Sequence, residues 1–331
     1  MKILLRALFL GMAVPASILS VCAGAPDAWA SPAVFAPKVI VLTAFPPEWH
    51  AWTADPAYHY RTLSVKGLIR PLVCSRKKVC VTESGEGEIN AAVTVAGLVE
   101  DPALDLRNTV FLRSGIAGGV DTRDSPLGSV YINSWVISWA FGHHYLTEGK
   151  KLSWAPPGCA DYSRPGKCGE YRQNTLENLA YPADRKLLDV ARKAGTGLVL
   201  DNSAGAVRLD RKFGTATTPV VRTGATVTGD DFWIGRENQA IARKIVRLYT
   251  HGKARYTNTA MEDLGDVAAL ARFGLASHYL SIRGISDIDV PPPGKTEEEI
   301  WKKGDLYAGR LAERNAVLVT RAVIRKLLEE Q

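Results

Sequence analysis

Beyond residue 31 the chain has no apolar stretch near the roughly 18–20 residues a membrane-spanning helix needs. The sequence therefore predicts a soluble mature protein with no transmembrane helix, unable to form a channel alone. Cysteine is scarce, five in 331 residues, too few for a small disulfide scaffold. Internal repeats and low-complexity tracts are absent. A composition of 46% hydrophobic and 23% charged residues excludes a disordered or collagen-like chain. The formal charge of +7 is scattered apart from the short Arg76–Lys78 turn, so no nucleic-acid patch is indicated. A mildly basic surface would still favour anionic solutes or membranes.

What is present begins with residues 1–30, which have the pattern of a secretory signal. Lys2 and Arg6 give the positive start, Leu8–Val21 most of the apolar stretch, and Ala28-Trp29-Ala30 a cleavage site. The competing reading is an N-terminal membrane anchor, against which Gly11, Pro15 and the broken apolar run argue. Val21 before Cys22 fits a lipoprotein box poorly. Lys2, Arg6 and Asp27 account for +1 of the +7 charge, leaving +6 on the mature chain. The expected location is exported, periplasmic or secreted.

Without Cys22, four cysteines remain in two close pairs, Cys74/Cys80 and Cys159/Cys168. Three connectivities are possible, and the short spacings favour each pair closing on itself. A zinc site is the alternative, but no histidine accompanies either pair at ligand spacing. Disulfides in an oxidising compartment are expected.

Short β-rich runs alternate with helical ones: Lys38–Thr43, then a helix from Glu48 after two prolines, a hairpin over Gly67–Glu83 and an Ala-rich helix at Ile89–Val99. Strands follow at Thr109–Arg113, Gly128–Phe141, Val220–Thr223 and Tyr279–Arg283. Helices are expected at Ala183–Ala194, Arg236–Leu248, Met261–Phe273 and Asp305–Glu330, and 146–175 is a long Pro- and Gly-rich excursion. This alternation predicts one α/β domain over 31–331, a three-layer αβα architecture with a mostly parallel mixed sheet. In such sheets ligands gather at the carboxyl ends of strands. Pro46-Pro47-Glu48, Ser114–Gly119, Thr259–Glu262 and Ile285–Asp287 would all stand there.

The order of these segments is informative. Phe45–Glu48, Ser84–Gly87 before the Ala-rich helix, Gly115–Gly119, Thr228–Phe232, Met261-Glu262 and Arg283–Asp287 occur in the order of the nucleoside phosphorylase/nucleosidase superfamily. Within it, the cysteine hairpin, Asn90-Ala91-Ala92, Thr259–Asp263 and Ala312–Asn315 resemble the purine nucleoside permease family. The resemblance implies a purine nucleoside as ligand and a homo-oligomer. It also implies Asp287 as the acid at purine N7, Glu48 at the position that holds the attacking water, and Glu262 as acceptor of the ribose hydroxyls. Met261 would pack on the sugar and Phe232 on the base, with Gly115, Ile116 and Ala117 in the strand-end contact. Trp233 lies close to the same site.

The residue types suit the chemistry. Breaking an N-glycosidic bond builds positive charge on the sugar and negative charge on the base, which a carboxylate and a general acid would meet. Such an acid needs burial or a second carboxylate nearby, and Asp289 is a candidate neighbour if it is not solvated. Where phosphorylases place glycine and arginine to hold phosphate, this chain has Pro46-Pro47-Glu48, which favours water. Against that, Arg113 stands where phosphorylases similarly place an anion-binding arginine; the alternative is that it pairs with a carboxylate. Inorganic phosphate as co-substrate therefore stays open, and no other cofactor is implied. The permease name implies a second reading, a nucleoside-binding component that works with a membrane transport partner. Adjacent His143 and His144 on a strand would point to opposite faces, which disfavours a shared metal. Trp135 and Trp139 share a face and read as core, while Trp49, Trp52 and Trp233 stand closer to the pocket, where stacking on a base and core burial are both open.

Overall fold

β-Branched residues after Pro37 form the first strand, β1 (Val39–Thr43), and its alternation sets the layers. Val39 and Val41 enter a cluster with Trp52, Val319 and Val323, whereas Ile40 and Leu42 enter another with Val95, Leu98, Val267 and Leu270. All five residues of β1 are buried, as expected for a central strand covered on both faces. The computed structural model describes residues 34–121, 123–139, 143–145, 153–155, 179–202, 208, 211–213, 218–299 and 308–330. The proposed signal and the Cys159/Cys168 pair lie outside these residues.

After β1 come α1 (Pro46–Thr53), β2 (Arg61–Leu63), β3 (Leu72–Cys74), β4 (Val79–Glu83) and α2 (Glu88–Val99). Next are β5 (Val110–Gly119), β6 (Val130–Ser138), β7 (His143–Tyr145), β8 (Ser153–Ala155), β9 (Ala180–Pro182) and α3 (Arg185–Gly195). β10 (Val221–Thr228), α4 (Arg236–Tyr249), β11 (Tyr256–Ala260), α5 (Asp263–Arg272), β12 (Tyr279–Ile288) and α6 (Gly309–Glu329) complete the order. β4, β1, β5 and β12 run parallel side by side, as do β6, β10 and β11. The antiparallel pairs β12–β6 and β11–β5 join these two groups, so β5, β12, β6, β10 and β11 close into a ring. Helices α1, α3 and α6 cover one face of the central strands; α2 and α5 cover the other.

The cysteine hairpin is β3 and β4, paired antiparallel, with a Cys74–Cys80 disulfide across its tip. Lys78 sits in the turn at φ 61°. The strand His143–Tyr145 pairs with Ser153–Ala155 away from the main sheet. No helix among the described residues is long and apolar enough to cross a membrane.

The structure corrects two expectations and settles a third. Ser114–Gly119 and Gly284–Asp287 are not loops after strands but the far halves of β5 and β12. Glycine permits this because the strands pass other groups too closely for a side chain. Helix α5 starts at Asp263 rather than Met261, because Glu262 occupies the N-cap position; α6 runs from Gly309 with Ala308 at its N-cap, and Asp305 lies outside the described residues. Trp52 is fully buried in the core beneath α6, and Trp49 packs against the same cluster, so neither reaches the pocket.

Candidate active site

The far ends of β1, β5, β11 and β12 meet around a cavity of about 250 Å³. Glu48 enters it from the first turn of α1. Pro46 and Pro47 occupy the first helical positions, where their missing N–H costs nothing and their φ suits a helix start. The glutamate is 2% exposed. Its Oε2 accepts the Ala44 N–H at 2.7 Å and its Oε1 the Ile116 N–H at 2.8 Å. Gly115 makes this approach possible, since a Cβ there would lie 2.3 Å from Glu48 Oε1. Burial pushes the Glu48 pKa up to about 7, with Arg283 pulling it down and Glu262 adding to the rise. Two backbone donors thus fix a carboxyl that changes charge near neutrality.

Behind Glu48 lies a buried lattice of charges. The Arg283 guanidinium donates to Glu262 Oε2 at 2.7 Å, to Asp263 Oδ2 through Nε at 3.1 Å and Nη2 at 2.5 Å, and to the Ile116 carbonyl at 3.0 Å. Glu262 also accepts the Gly87 N–H at 3.3 Å. Arg113 makes a two-pronged contact with Asp266, both bonds at 2.7 Å, and donates to Ser84 Oγ at 3.0 Å. The Tyr279 hydroxyl, 3.1 Å from both Asp263 and Asp266, links the two halves. Burial drives the Asp263 carboxyl up, but Arg283 outweighs it and holds the group below its ordinary value. For Asp266 burial wins, and its pKa is raised even beside Arg113.

Asp287, on β12, faces the cavity from the other side. Ser286 Oγ donates to its Oδ1 at 2.5 Å, while Oδ2 is buried with no hydrogen-bond partner. Burial raises its pKa, and only the Ser286 bond opposes the rise. Asp289 follows at 1% exposure, so it is not solvated. Its Oδ2 accepts the Tyr256 hydroxyl at 2.7 Å and the Thr259 hydroxyl. Burial and then the neighbouring Asp287 charge push its pKa well above the carboxylate range. An unpaired polar oxygen in a buried site is costly, and a protonated carboxyl with an empty face is a ready hydrogen-bond donor to a ligand.

Residues 36–331 match the purine nucleoside permease (NUP) family. The chain belongs to that family. A purine nucleoside permease of Candida albicans is 27% identical over 288 residues, covering 81% of this chain and 69% of the relative. Among solved structures, futalosine hydrolase of Helicobacter pylori superposes with a TM-score of 0.56 at 13% identity, covering 87% of this chain and 97% of that one. A 5'-methylthioadenosine/S-adenosylhomocysteine nucleosidase of Colwellia psychrerythraea, solved with adenine, gives 0.55 at 18% identity, covering 89% and 97%. The fold is that of the nucleoside phosphorylases and nucleosidases, with a mixed sheet.

In this NUP-family chain the sequence-predicted residues mostly converge. Glu48, Ile116, Ala117, Phe232, Trp233, Met261, Glu262 and Asp287 all line the cavity. Phe232 is half exposed at its mouth. Trp233 is buried and stacks on Trp139, centroids 4.7 Å apart, and Trp139 Nε1 donates to Asp231 at 2.8 Å. Gly115 stands behind Glu48 rather than in the wall. Arg113 does not reach the cavity: its guanidinium is spent on Asp266 and Ser84, the carboxylate-pairing alternative. The sequence reading gave no role to Arg283, Asp263 or Asp266. The signals that pointed toward them were the places of Arg283 and Asp263 at the ends of the Arg283–Asp287 and Thr259–Asp263 motifs; Asp266 lies in neither.

Proposed function

We propose that this chain binds a purine nucleoside in the cavity and hydrolyses its N-glycosidic bond. The observation that carries this reading is the pairing of two differently held carboxyl groups across one cavity. Burial raises the Asp287 pKa, and its Oδ2 is unpartnered; Glu48 is held by two backbone N–H groups, and burial pushes its pKa up to about 7. Environments that set two carboxyls apart assign the acid and the base. Asp287 gives its proton to N7 as the C1'–N9 bond breaks and its electrons pass to the base. Glu48 takes a proton from the water whose oxygen joins C1'. Glu262, fixed by Arg283 and the Gly87 N–H, accepts the ribose hydroxyls, and Met261 packs on the sugar.

Water is favoured over phosphate on charge grounds. Among the described residues lining the cavity, Arg283 is the cation, and its donors already serve Glu262, Asp263 and a carbonyl. Glu48, Glu262, Asp287 and Asp289 surround the same space. A dianion placed there would meet carboxylates without a free guanidinium. No cofactor is required by this chemistry. Incubating residues 31–331 with adenosine, inosine and guanosine, with and without phosphate, tests it. Free base and ribose are expected in both conditions. Ribose 1-phosphate accumulating with phosphate overturns hydrolysis, and tight binding without base release promotes the nucleoside-binding uptake reading that the relatives' name favours.

The base should also dominate the pH profile. Glu48 must be ionised to accept a proton, so kcat/KM is expected to rise about tenfold per pH unit below pH 7 and to level above it until Asp287 ionises in turn. Glu48→Gln should remove that limb. A limb that survives in Glu48→Gln would mean that Glu48 is not the base.

Export belongs to the same proposal. Protein recovered from its native compartment is expected to begin near Ser31 and to contain no free thiol, with Cys159 and Cys168 joined as Cys74 and Cys80 are. Intact-mass and thiol assays check both, and retained residues 1–30 or free thiols would sink the export reading.

A further inference from the structure

The mechanism uses Asp287 but leaves Asp289 unexplained, although both line the cavity. Asp287 lies in β12 and Asp289 just past its last residue, Ile288, where the Asp289 N–H still bonds the Gly119 carbonyl at 2.9 Å. Each has one oxygen anchored by hydroxyls: Ser286 holds Asp287 Oδ1, and Tyr256 with Thr259 holds Asp289 Oδ2. The other oxygen of each converges on Gly118. A Cβ there would lie 2.0 Å from Asp289 Oδ1 and 3.4 Å from Asp287 Oδ2, so a glycine is what leaves room for the pair. Neither aspartate takes part in the ion pairs among the described residues. Two buried carboxyls so close, without a cation, do not both ionise. One proton shared by the pair makes the free oxygens a donor beside an acceptor; although burial favours that proton on Asp289 when no base is bound, a base that brings an acceptor to Asp287 and a donor to Asp289 draws it onto Asp287.

We propose that Asp289 is a specificity-determining residue: together with Asp287 it reads the base edge as one donor and one acceptor, which selects 6-aminopurines over 6-oxopurines. This rests on the nucleoside site proposed above. In a 6-aminopurine, N7 accepts a hydrogen bond and the adjacent amino group donates one. Asp287 serves the first and Asp289 the second. A 6-oxopurine presents two acceptors, and its O6 faces the lone pairs of Asp289. A site that hydrogen-bonds one edge discriminates against another because its buried polar groups are left unpaired.

The hydroxyls around Asp289 make the test directional. Tyr256 and Thr259 need an acceptor, so in Asp289→Asn the amide oxygen takes the place of Oδ2 and the NH2 group faces the cavity. The variant therefore presents a fixed donor. Calorimetric titration of the mature protein with adenine and hypoxanthine is the measurement. Wild type is expected to bind adenine about tenfold or more tighter than hypoxanthine, the usual scale of one mismatched buried hydrogen bond. Asp289→Asn should shift that ratio about tenfold or more toward hypoxanthine. A merely structural role would weaken both bases alike, and that result overturns the proposal. Wild type that favours hypoxanthine overturns it without any variant. Failure to bind either base overturns the nucleoside site itself, whereas binding of both with an unmoved ratio overturns the role of Asp289 alone.

Discussion

Asp287→Asn is expected to lower turnover by about two to four orders of magnitude, the scale on which a general acid contributes, while base affinity changes little. The local geometry explains the split. Ser286 Oγ donates to Oδ1, so the asparagine would turn its amide oxygen there and direct NH2 into the cavity in place of the unpartnered Oδ2. N7 keeps a hydrogen-bond donor but loses a transferable proton. The departing base must then carry its charge unneutralised. Single-turnover base release alongside calorimetry of the free base separates the two quantities. A parallel loss of rate and affinity would place Asp287 in binding rather than in proton transfer.

The largest stability effect is expected at Arg113. Arg113→Met keeps much of the volume but strands Asp266, which is wholly buried and has lost its two-pronged partner. Breaking a buried pair from one side typically costs about 3–5 kcal/mol, and urea denaturation of the mature protein would read it. Removing both charges in Arg113→Met/Asp266→Leu should recover most of the loss, because the penalty lies in the orphaned carboxylate. If the double variant is no more stable than the single one, the damage is one of packing. If the single variant loses under about 1 kcal/mol, Asp266 has simply taken up a proton, consistent with the direction of its pKa.

Some of this arrangement was legible in the sequence for physical reasons. The central strand, the hairpin and the helices announce themselves through local periodicity and turn chemistry. Glu48, Glu262 and Asp287 were found because they sit at fixed places within short ordered motifs. Glycines 115 and 118 misled, since a glycine run reads as a turn unless the group that passes over it is known. Here those groups are Glu48 and Asp289, which lie 67 and 171 positions away along the chain. The charge lattice was invisible for the same reason: Arg113 and Asp266 are 153 residues apart, and nothing local distinguishes an arginine that holds an anion from one that neutralises a neighbouring helix. Asp289 was noticed as a neighbour of Asp287, but its burial depends on Tyr256 and Thr259 from another strand.

The closed ring of β5, β12, β6, β10 and β11 governs how a bound molecule can come and go. Asn258 and Thr259 pair with Gly119 and Gly118, so the strand ends that line the cavity have no loose border along which to peel apart. Opening that floor would mean breaking several ladders together, an event from the slow, high-energy end of local unfolding. Among the described residues, the side that can yield is the mouth, where Phe232 is half exposed and Glu86 is open to solvent. Exposed side chains turn over in picoseconds to nanoseconds. For the hydrolysis proposed above, bond breaking rather than egress is expected to set the pace, and a pre-steady-state burst of free base would show the reverse.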